Sequence, residues 1–527
     1  MPNEGLICDA LLKTDPALYL SIDGANSFRA SLAKRGARVA KYRRYVNGDH
    51  DAYITAQMRK ILRLDIEDIS GLKDFNINYM GIVVDKMAGR LNVDEVTTDY
   101  QKEGFIEKIK NALSQEEKIN PSQQWIDNVL IDNDFEAIQG MMWRGAIRDG
   151  DSYVMVDPQT SKWIVEPAYD GFSGTFALLQ QGRDYPIWAC KLYSQADLDL
   201  TGDKPSTIVS MKIVVYQPDR ISYFTGQAGG NEVSVDVSMD KVIDKCVNGV
   251  RPWPDEMKGI IPIVHYSNCK DSYTQFGESE IRKGIPLNDV INRTLYDQCA
   301  ASSFAGFKLT WSKGMILNPN GIMPGSVINL TLNDATGKPI VSPTAEQIEL
   351  IKASSVGQFE ATDISQFTGQ IEKMTVQLCQ ITSTPIYGVT TQGNLSGEAL
   401  KQLENGLIGK CQRFQKENTS GVRSLIELTA KIQKTFQGFK DPPELGRITV
   451  EWDSPELRDN VIDKEYQEKK IAWETAAAVF TASNGEIPFE SVLQSLGFTE
   501  EEMAEFGTQK MAAIEASQED SVPEEGM

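Results

Sequence analysis

The sequence predicts an α+β fold, on three observations. Residues 152 to about 265 carry strand signals divided by Gly, Pro and Asp, while the stretches on either side follow helical spacing. A short β-rich insert then separates two helical segments between residues 277 and 381. At 527 residues the chain exceeds one ordinary core, and a prior of about 150 residues per domain gives roughly three units.

Residues 28–44, FRASLAKRGARVAKYRR, hold seven Lys or Arg and no acid, and predict a helix interrupted at Gly36. Two readings of this basic run compete. A solvated face pairing with acidic neighbours is favoured over a contact with nucleic acid. A polar run, Asn47 to Asp51, comes next, and apolar spacing at Tyr79, Ile82, Val83, Met87 and Leu91 predicts a buried helix. Residues 125–148 continue helical until Gly150 and Asp151 turn the chain into the strand Ser152–Asp157. Further strands are predicted at Trp163–Pro167, Ile187–Leu192, Ile208–Gln217, Ser222–Gly226 and Val233–Val237.

After Ile261-Pro-Ile-Val-His-Tyr266, the run Gly277-Glu-Ser-Glu280 opens a helix with Ile281, Ile285, Ile291, Leu295 and Cys299 on one side. Pro286 either kinks that helix early or marks its true first turn. Phe307 to Pro343 reads as a small β module. A second helix is predicted from Thr344 to Ile381, opened by the capping box Thr344-Ala-Glu-Gln347 and reaching about 55 Å. Within it Ile364, Phe367, Ile371, Met374, Leu378 and Ile381 repeat at spacings of three and four, a narrow seam suited to packing on another helix.

Met374 to Gly397 are 24 consecutive residues without charge. Ser396 then caps a long helix through Leu400, Leu407, Phe414, Leu425 and Phe436, with bends expected at Gly406, Gly409 and Gly421. A strand at Arg447–Asp453, a helical unit over 456–517 with a capping box at Thr499–Glu502, and an acidic disordered tail over 518–527 complete the reading.

The totals narrow the chemistry. Hydrophobic residues make up 41% and charged residues 24%, and no apolar run is long enough to span a membrane. The N-terminal stretch lacks the basic start and apolar core of a secretion signal, so assembly in a cytoplasm is expected. Cys8, Cys190, Cys246, Cys269, Cys299, Cys379 and Cys411 form no CxxC pair and read as reduced, packed thiols. With His50 and His265 the only histidines, no metal-ligand spacing emerges, and no cofactor is expected. Neither Gly409-Lys410-Cys411 nor Gly337-Lys338-Pro339 completes a P-loop, and GxGxxG, GxSxG and HExxH are missing. Asp49-His50-Asp51 is a weak acid/base or metal candidate on what reads as an exposed turn, and His265 reads as a core histidine. The net charge of −21 argues that any contact with DNA is loose or local.

This order of elements resembles the portal proteins of tailed bacteriophages. Tyr42 to Gly48, Ile82-Val-Val-Asp-Lys-Met-Ala-Gly-Arg-Leu91 and Arg148-Asp-Gly-Asp-Ser-Tyr-Val-Met-Val156 are similar to the family's N-terminal wing pattern. Ile261-Pro-Ile-Val264, Asn268, Gly277-Glu-Ser-Glu280 and Ile285-Pro-Leu-Asn-Asp-Val-Ile-Asn292 resemble the start of its stem, and Gly393-Asn-Leu-Ser-Gly-Glu-Ala-Leu400 the start of its kinked helix. The resemblance implies a wing over 1–265 and 397–455, a first stem segment over 266–306, a clip over 307–343, a second stem helix over 344–381, a tunnel loop over 382–396 and a crown over 456–517. It further implies a dodecameric ring in the virion, at the capsid vertex, acting as a channel for double-stranded DNA without enzymatic activity. Terminase, major capsid protein, scaffold and adaptor or tail proteins are the implied partners. In that setting Thr390, Thr391, Gln392, Gly393 and Asn394 are expected to face the DNA, and Gly406 and Gly409 to act as a helix hinge. Two rival readings are a cytoplasmic scaffold using the long helices and a metal-dependent nucleic-acid enzyme using Asp49, His50 and Asp51.

Overall fold

The computed structural model describes residues 2–22, 25–50, 76–98, 121–180, 185–197, 207–243, 245–271, 274, 276–306, 310–313, 341–342, 344–358, 363–385, 397–436 and 445–456. The expected crown, tail and second capping box, most of the β insert and Thr390–Asn394 lie outside them. Helices and strands alternate in blocks, as an α+β chain requires. Helices α1 (Glu4–Thr14), α2 (Pro16–Ser21), α3 (Ala25–Val46) and α4 (Tyr79–Ala88) precede β1 (Val93–Thr98), α5 (Pro121–Asp132) and α6 (Phe135–Asp149). Strands β2 (Asp151–Val156), β3 (Trp163–Pro167), β4 (Gly174–Leu178), β5 (Trp188–Asp197), β6 (Thr207–Tyr216), β7 (Arg220–Gly226), β8 (Val233–Val235), β9 (Val250–Pro252) and β10 (Ile263–Ser267) follow. The remainder comprises α7 (Ile285–Gly306), β11 (Thr310–Lys313), α8 (Ala345–Ala353), β12 (Ser355–Gln358), α9 (Ser365–Ile381), α10 (Gly397–Phe436) and β13 (Ile448–Trp452).

The chain forms two units, each discontinuous in sequence. The first holds residues 1–95, 127–444 and 450–452; the second holds 96–126, 445–449 and 453–527. In the second, Gln123 braces the end of β1, donating through Nε2 to the Val96 carbonyl at 2.9 Å and accepting the Thr98 N–H at 3.3 Å.

The first unit contains a large antiparallel sheet in the order β4-β5-β6-β7-β8, with β9 also paired to β7. Its apolar face follows the strand period of two. Trp188, Cys190 and Leu192 on β5 lie beside Met211, Ile213 and Val215 on β6, with Cys190 opposite Val215 and Leu192 opposite Ile213. This face is covered by Leu6, Ile7 and Leu11 of α1 and Phe28 and Leu32 of α3. The buried Trp188 indole donates to Thr14 Oγ1 at 3.1 Å, so its one polar atom is satisfied. Helix α3 runs unbroken through Gly36, where the sequence predicted an interruption. A Cβ there would sit 2.6 Å from the Gly171 nitrogen, so this glycine permits a close backbone approach instead of a bend.

A second antiparallel sheet, β10-β2-β3, is buried along every residue of β2. Trp143 of α6 fills the core beside it, with ring centroids 5.3 Å from Tyr266, 5.7 Å from Phe414 and 5.1 Å from Trp452. Helix α10 closes the free edge of β10. Asn418 accepts the Ser267 N–H at 3.1 Å and donates to the Ser267 carbonyl at 3.0 Å, so one side chain imitates a neighbouring strand.

Two predicted helices take a different form. Helix α7 begins at Ile285, so Pro286 sits in its first turn, where a missing N–H costs nothing. The expected helix from Thr344 to Ile381 is broken into α8 and α9 by β12, whose backbone pairs antiparallel with β11 from Thr310↔Gln358 to Lys313↔Ser355. The capping box that opens it is formed: Thr344 N–H donates to Gln347 Oε1 at 2.9 Å, and Gln347 N–H to Thr344 Oγ1 at 3.4 Å. Helix α10 is a single 40-residue element through Gly406, Gly409 and Gly421.

Gly421 has a packing reason. A Cβ at this position would lie 2.7 Å from Cε1 of Tyr266, a fully buried ring whose hydroxyl donates to the Gly421 carbonyl at 3.2 Å. Gly421→Ala gains about 1 kcal/mol of helix propensity but overpacks a ring that cannot retreat, at a cost of about 1–3 kcal/mol. The expected outcome is a lower urea midpoint than wild type, read by circular dichroism.

Candidate functional site

The most unusual sequence feature, the uncharged stretch from Met374 to Gly397, starts on α9 and ends at the first residue of α10. The structure places its root. Helix α9 packs on α7, where Gln298 Nε2 donates to Thr368 Oγ1 at 3.1 Å. Of the predicted seam, Met374 and Leu378 are buried, Ile364 caps the helix, and Phe367 and Ile371 are half-buried. Ile381 departs from the seam at 52% exposure, because the buried face turns to include Thr375 and Cys379.

The chain leaves α9 through a left-handed residue, Ser383, at φ 47°. The Thr384 N–H returns to the Cys379 carbonyl at 2.9 Å, and the buried Thr382 hydroxyl donates to the Leu378 carbonyl at 2.8 Å. Residues 386–396, including Thr390, Thr391, Gln392, Gly393 and Asn394, lie outside the described residues. On the far side, two ion pairs hold α10. Arg90 donates from both terminal nitrogens to the Glu404 carboxylate at 3.2 and 3.0 Å. Lys410 Nζ lies 2.8 Å from Glu280 Oε1 and also donates to the Thr382 carbonyl, tying α10 to the end of α9. Burial alone pushes the Glu280 carboxyl upward, but the Lys410 charge and hydrogen bonds from Lys410 and Asn268 outweigh it and hold Glu280 below the usual carboxylate range.

Gly406 and Gly409 lie between these ion pairs. A Cβ on Gly406 would meet Ser383 Cβ at 3.1 Å, whereas Gly409 has nothing within 4 Å. Close packing therefore accounts for Gly406 and not for Gly409.

The basic run splits: Lys34, Arg38, Lys41 and Arg44 keep the solvated face the sequence suggested, while Arg35 and Arg43 turn inward to form a second cluster. Arg35 pairs with Asp151, a fully buried carboxylate whose Oδ1 also receives His265 Nε2 at 2.6 Å and the Gly277 N–H at 2.9 Å. Arg43 reaches Asp149 at 2.8 Å, Asp170 at 2.7 Å and the Ala168 carbonyl at 2.7 Å. Arg148 donates twice to Asp149, at 2.8 and 2.9 Å. Burial raises the Asp151 carboxyl, yet Arg35, His265 and Gly277 together carry it below its ordinary value.

Of the Asp49-His50-Asp51 candidate, the two described residues diverge. His50 is buried, not exposed: Nε2 donates to the Tyr45 carbonyl at 3.1 Å, and Nδ1 faces Asn292 Nδ2 at 3.5 Å. Burial lowers its pKa, while the Asp49 side chain is 75% exposed and turned to Arg44. Asp51 lies outside the described residues. Among the described residues no group of three His, Cys, Asp or Glu is placed to hold a metal ion, and no helix is long and apolar enough to cross a membrane.

A family profile described as phage portal protein, SPP1 Gp6-like, matches residues 29–523. The chain belongs to this portal family. No curated protein matches it. As a tailed-phage portal protein it is a structural component of the virion, a head-tail connector of the capsid with a part in DNA packaging. Sequence reading missed the ion pairs that anchor this portal chain's α10, because Glu280 and Lys410 are 130 residues apart and no local pattern joins them.

Two outcomes are expected at the loop root. Lys410→Ala leaves Glu280 buried without its cation and costs about 3 kcal/mol, read as a lower urea midpoint at neutral pH. Because Glu280 is held below its unfolded value of about 4.3, its contribution is present above that pH and lost as pH falls through the folded value. Glu280→Gln removes that contribution, so its stability falls less steeply with acid than that of wild type.

Proposed function

We propose that copies of this chain close into a ring, dodecameric as the family resemblance implies, through which double-stranded DNA passes during packaging and ejection. The observation that carries this reading is the portal-family match across residues 29–523. The ring serves as docking platform for terminase and for adaptor or tail proteins, and is seated in the shell by the major capsid protein and scaffold. Assembly takes place in the host cytoplasm. In this reading residues 1–265 and 397–455 form the wing, 266–306 and 344–381 the stem, 307–343 the clip, 382–396 the tunnel loop and 456–517 the crown. The β11–β12 pairing supports extending the clip to Gln358, since Ser355–Gln358 completes a sheet begun within it.

Thr390, Thr391, Gln392, Gly393 and Asn394 are assigned to the DNA-facing side of the tunnel. Their support is chemical. DNA must slide without being held, and every phosphate neutralised by a cation releases counterions and adds affinity. A lysine repeated around a ring becomes a clamp, whereas Thr, Gln, Gly and Asn offer only exchangeable hydrogen bonds. The chain's net charge of −21 agrees with guidance by repulsion. Gly409, with open space around it, is retained as the better hinge candidate of the pair Gly406 and Gly409.

Electron microscopy of the purified protein, with mass by light scattering, tests the reading. Rings with an axial hole and a mass near the dodecamer are expected; a closed oligomer without a channel overturns it. Thr391→Lys is expected to slow packaging in a defined packaging assay, and an unchanged rate removes the loop assignment while leaving the ring intact.

A further inference from the structure

Helix α3 has two charged faces with different fates. Arg35 and Arg43 turn inward to Asp151, Asp149 and Asp170. Lys34, Arg38 and Lys41, spaced four and three residues apart, fall on one helical face and are exposed. Among the described residues none of these three has an acidic partner within ion-pair distance, and Lys41 instead lies over the Tyr45 ring at 5.3 Å.

This face borders a cleft of 640 Å³ lined by Lys34 and Arg38 of α3 and by Asp271, Phe276, Glu278 and Arg282, so its rim carries both signs of charge. Phe28, Leu32, Phe176, Leu178 and Phe276 give it apolar walls, and Tyr42 also lines it. An apolar recess with a charged rim is the arrangement expected of a protein contact: the recess takes an anchor side chain and the rim orients it.

The charge balance indicates what fits. Taking the seven cations of residues 28–44, which include no acid, out of a chain of net −21 leaves −28 for the remainder. A second copy carries an excess of acid over base, so on balance it offers negative charge to the exposed cations of this face. A ring of identical subunits uses a head-to-tail contact between two different patches, which a basic patch and an acidic one satisfy.

We propose that the Lys34–Arg38–Lys41 face of α3 and the cleft beside it receive an acidic surface of a second copy of this chain, as one side of the subunit contact. The inference rests on the ring reading. It is tested with the full-length chain and two variants, K34Q/R38Q/K41Q and K34E/R38E/K41E, followed by sedimentation velocity and light scattering across protein and NaCl concentrations. Wild-type rings are expected to weaken as NaCl rises, because exposed charge pairs are screened. The glutamine variant is expected to need about tenfold more protein to assemble and to respond less to salt. The glutamate variant is expected to remain subunits while keeping the wild-type circular-dichroism spectrum.

Variants that assemble at the wild-type concentration with the wild-type salt response overturn the inference. So does a loss of binding to a fluorescent DNA duplex with ring assembly unchanged, which would give the face to nucleic acid. These failures leave wild-type rings standing. A wild-type chain that forms no channelled ring under any condition defeats the portal reading itself and this inference with it.

Discussion

Asp151 is the constraint on which the arrangement of the first unit depends. A carboxylate fully removed from water costs several kcal/mol unless cations and N–H groups replace its hydration. Its partners come from three separate segments: Arg35 from α3, His265 from β10, and the Gly277 N–H from the chain that leads into α7. Satisfying one side chain therefore fixes the helix layer, the inner sheet and the start of a long helix together. Gly150 serves the same junction. It is left-handed at φ 92°, and a Cβ there would stand 2.8 Å from the Gly277 carbonyl oxygen, so the chain can turn into β2 only with the smallest residue.

The basic run is the counterpart of this buried charge. Arg43 and Arg148 neutralise Asp149, and Arg43 reaches Asp170 as well, so three arginines and three aspartates share one layer. Arginine suits the position because its planar fork satisfies two acceptors at once, as Arg43 does with Asp149 and Asp170. The lysines of α3 occur only on its outer face, where a compact, hydrated charge need not be stripped of water. Residue choice along one helix thus separates internal pairing from outward charge.

How much of this was legible follows from range in sequence. The Thr344–Gln347 capping box, the strand at Trp163–Pro167 and the helix from Tyr79 were readable because three-residue reach or simple periodicity defines them. The break between α8 and α9 was not. No proline marks it, and the strand Ser355–Gln358 exists because Thr310–Lys313, over forty residues earlier, supplies its partner. His50 misled for the same reason: the polar run around it suggests an exposed turn, while Asn292, 242 residues away, helps bury it. The Asp151 cluster left one faint sign, a charged residue opening a strand that is buried throughout. The expected DNA-facing residues were chosen from their lack of charge and their place before the long helix, and neither fixes the direction in which a side chain points.

The ion pairs on α10 limit how the uncharged stretch can be displaced. Glu404 is tied to Arg90 on one side of Gly406 and Gly409, and Lys410 to Glu280 and the Thr382 carbonyl on the other. A bend at either glycine that moves the start of the helix pulls Glu404 from a guanidinium whose side chain is 9% exposed. Separating such a pair without a replacement costs about 3–5 kcal/mol. That penalty is not met at Gly397–Leu403, the two turns ahead of Glu404, where the helix begins and frays most readily. Motion confined to those turns leaves both ion pairs intact. Motion that reaches Gly409 must break Arg90–Glu404 first, so a hinge there operates only against a load large enough to expose a buried carboxylate.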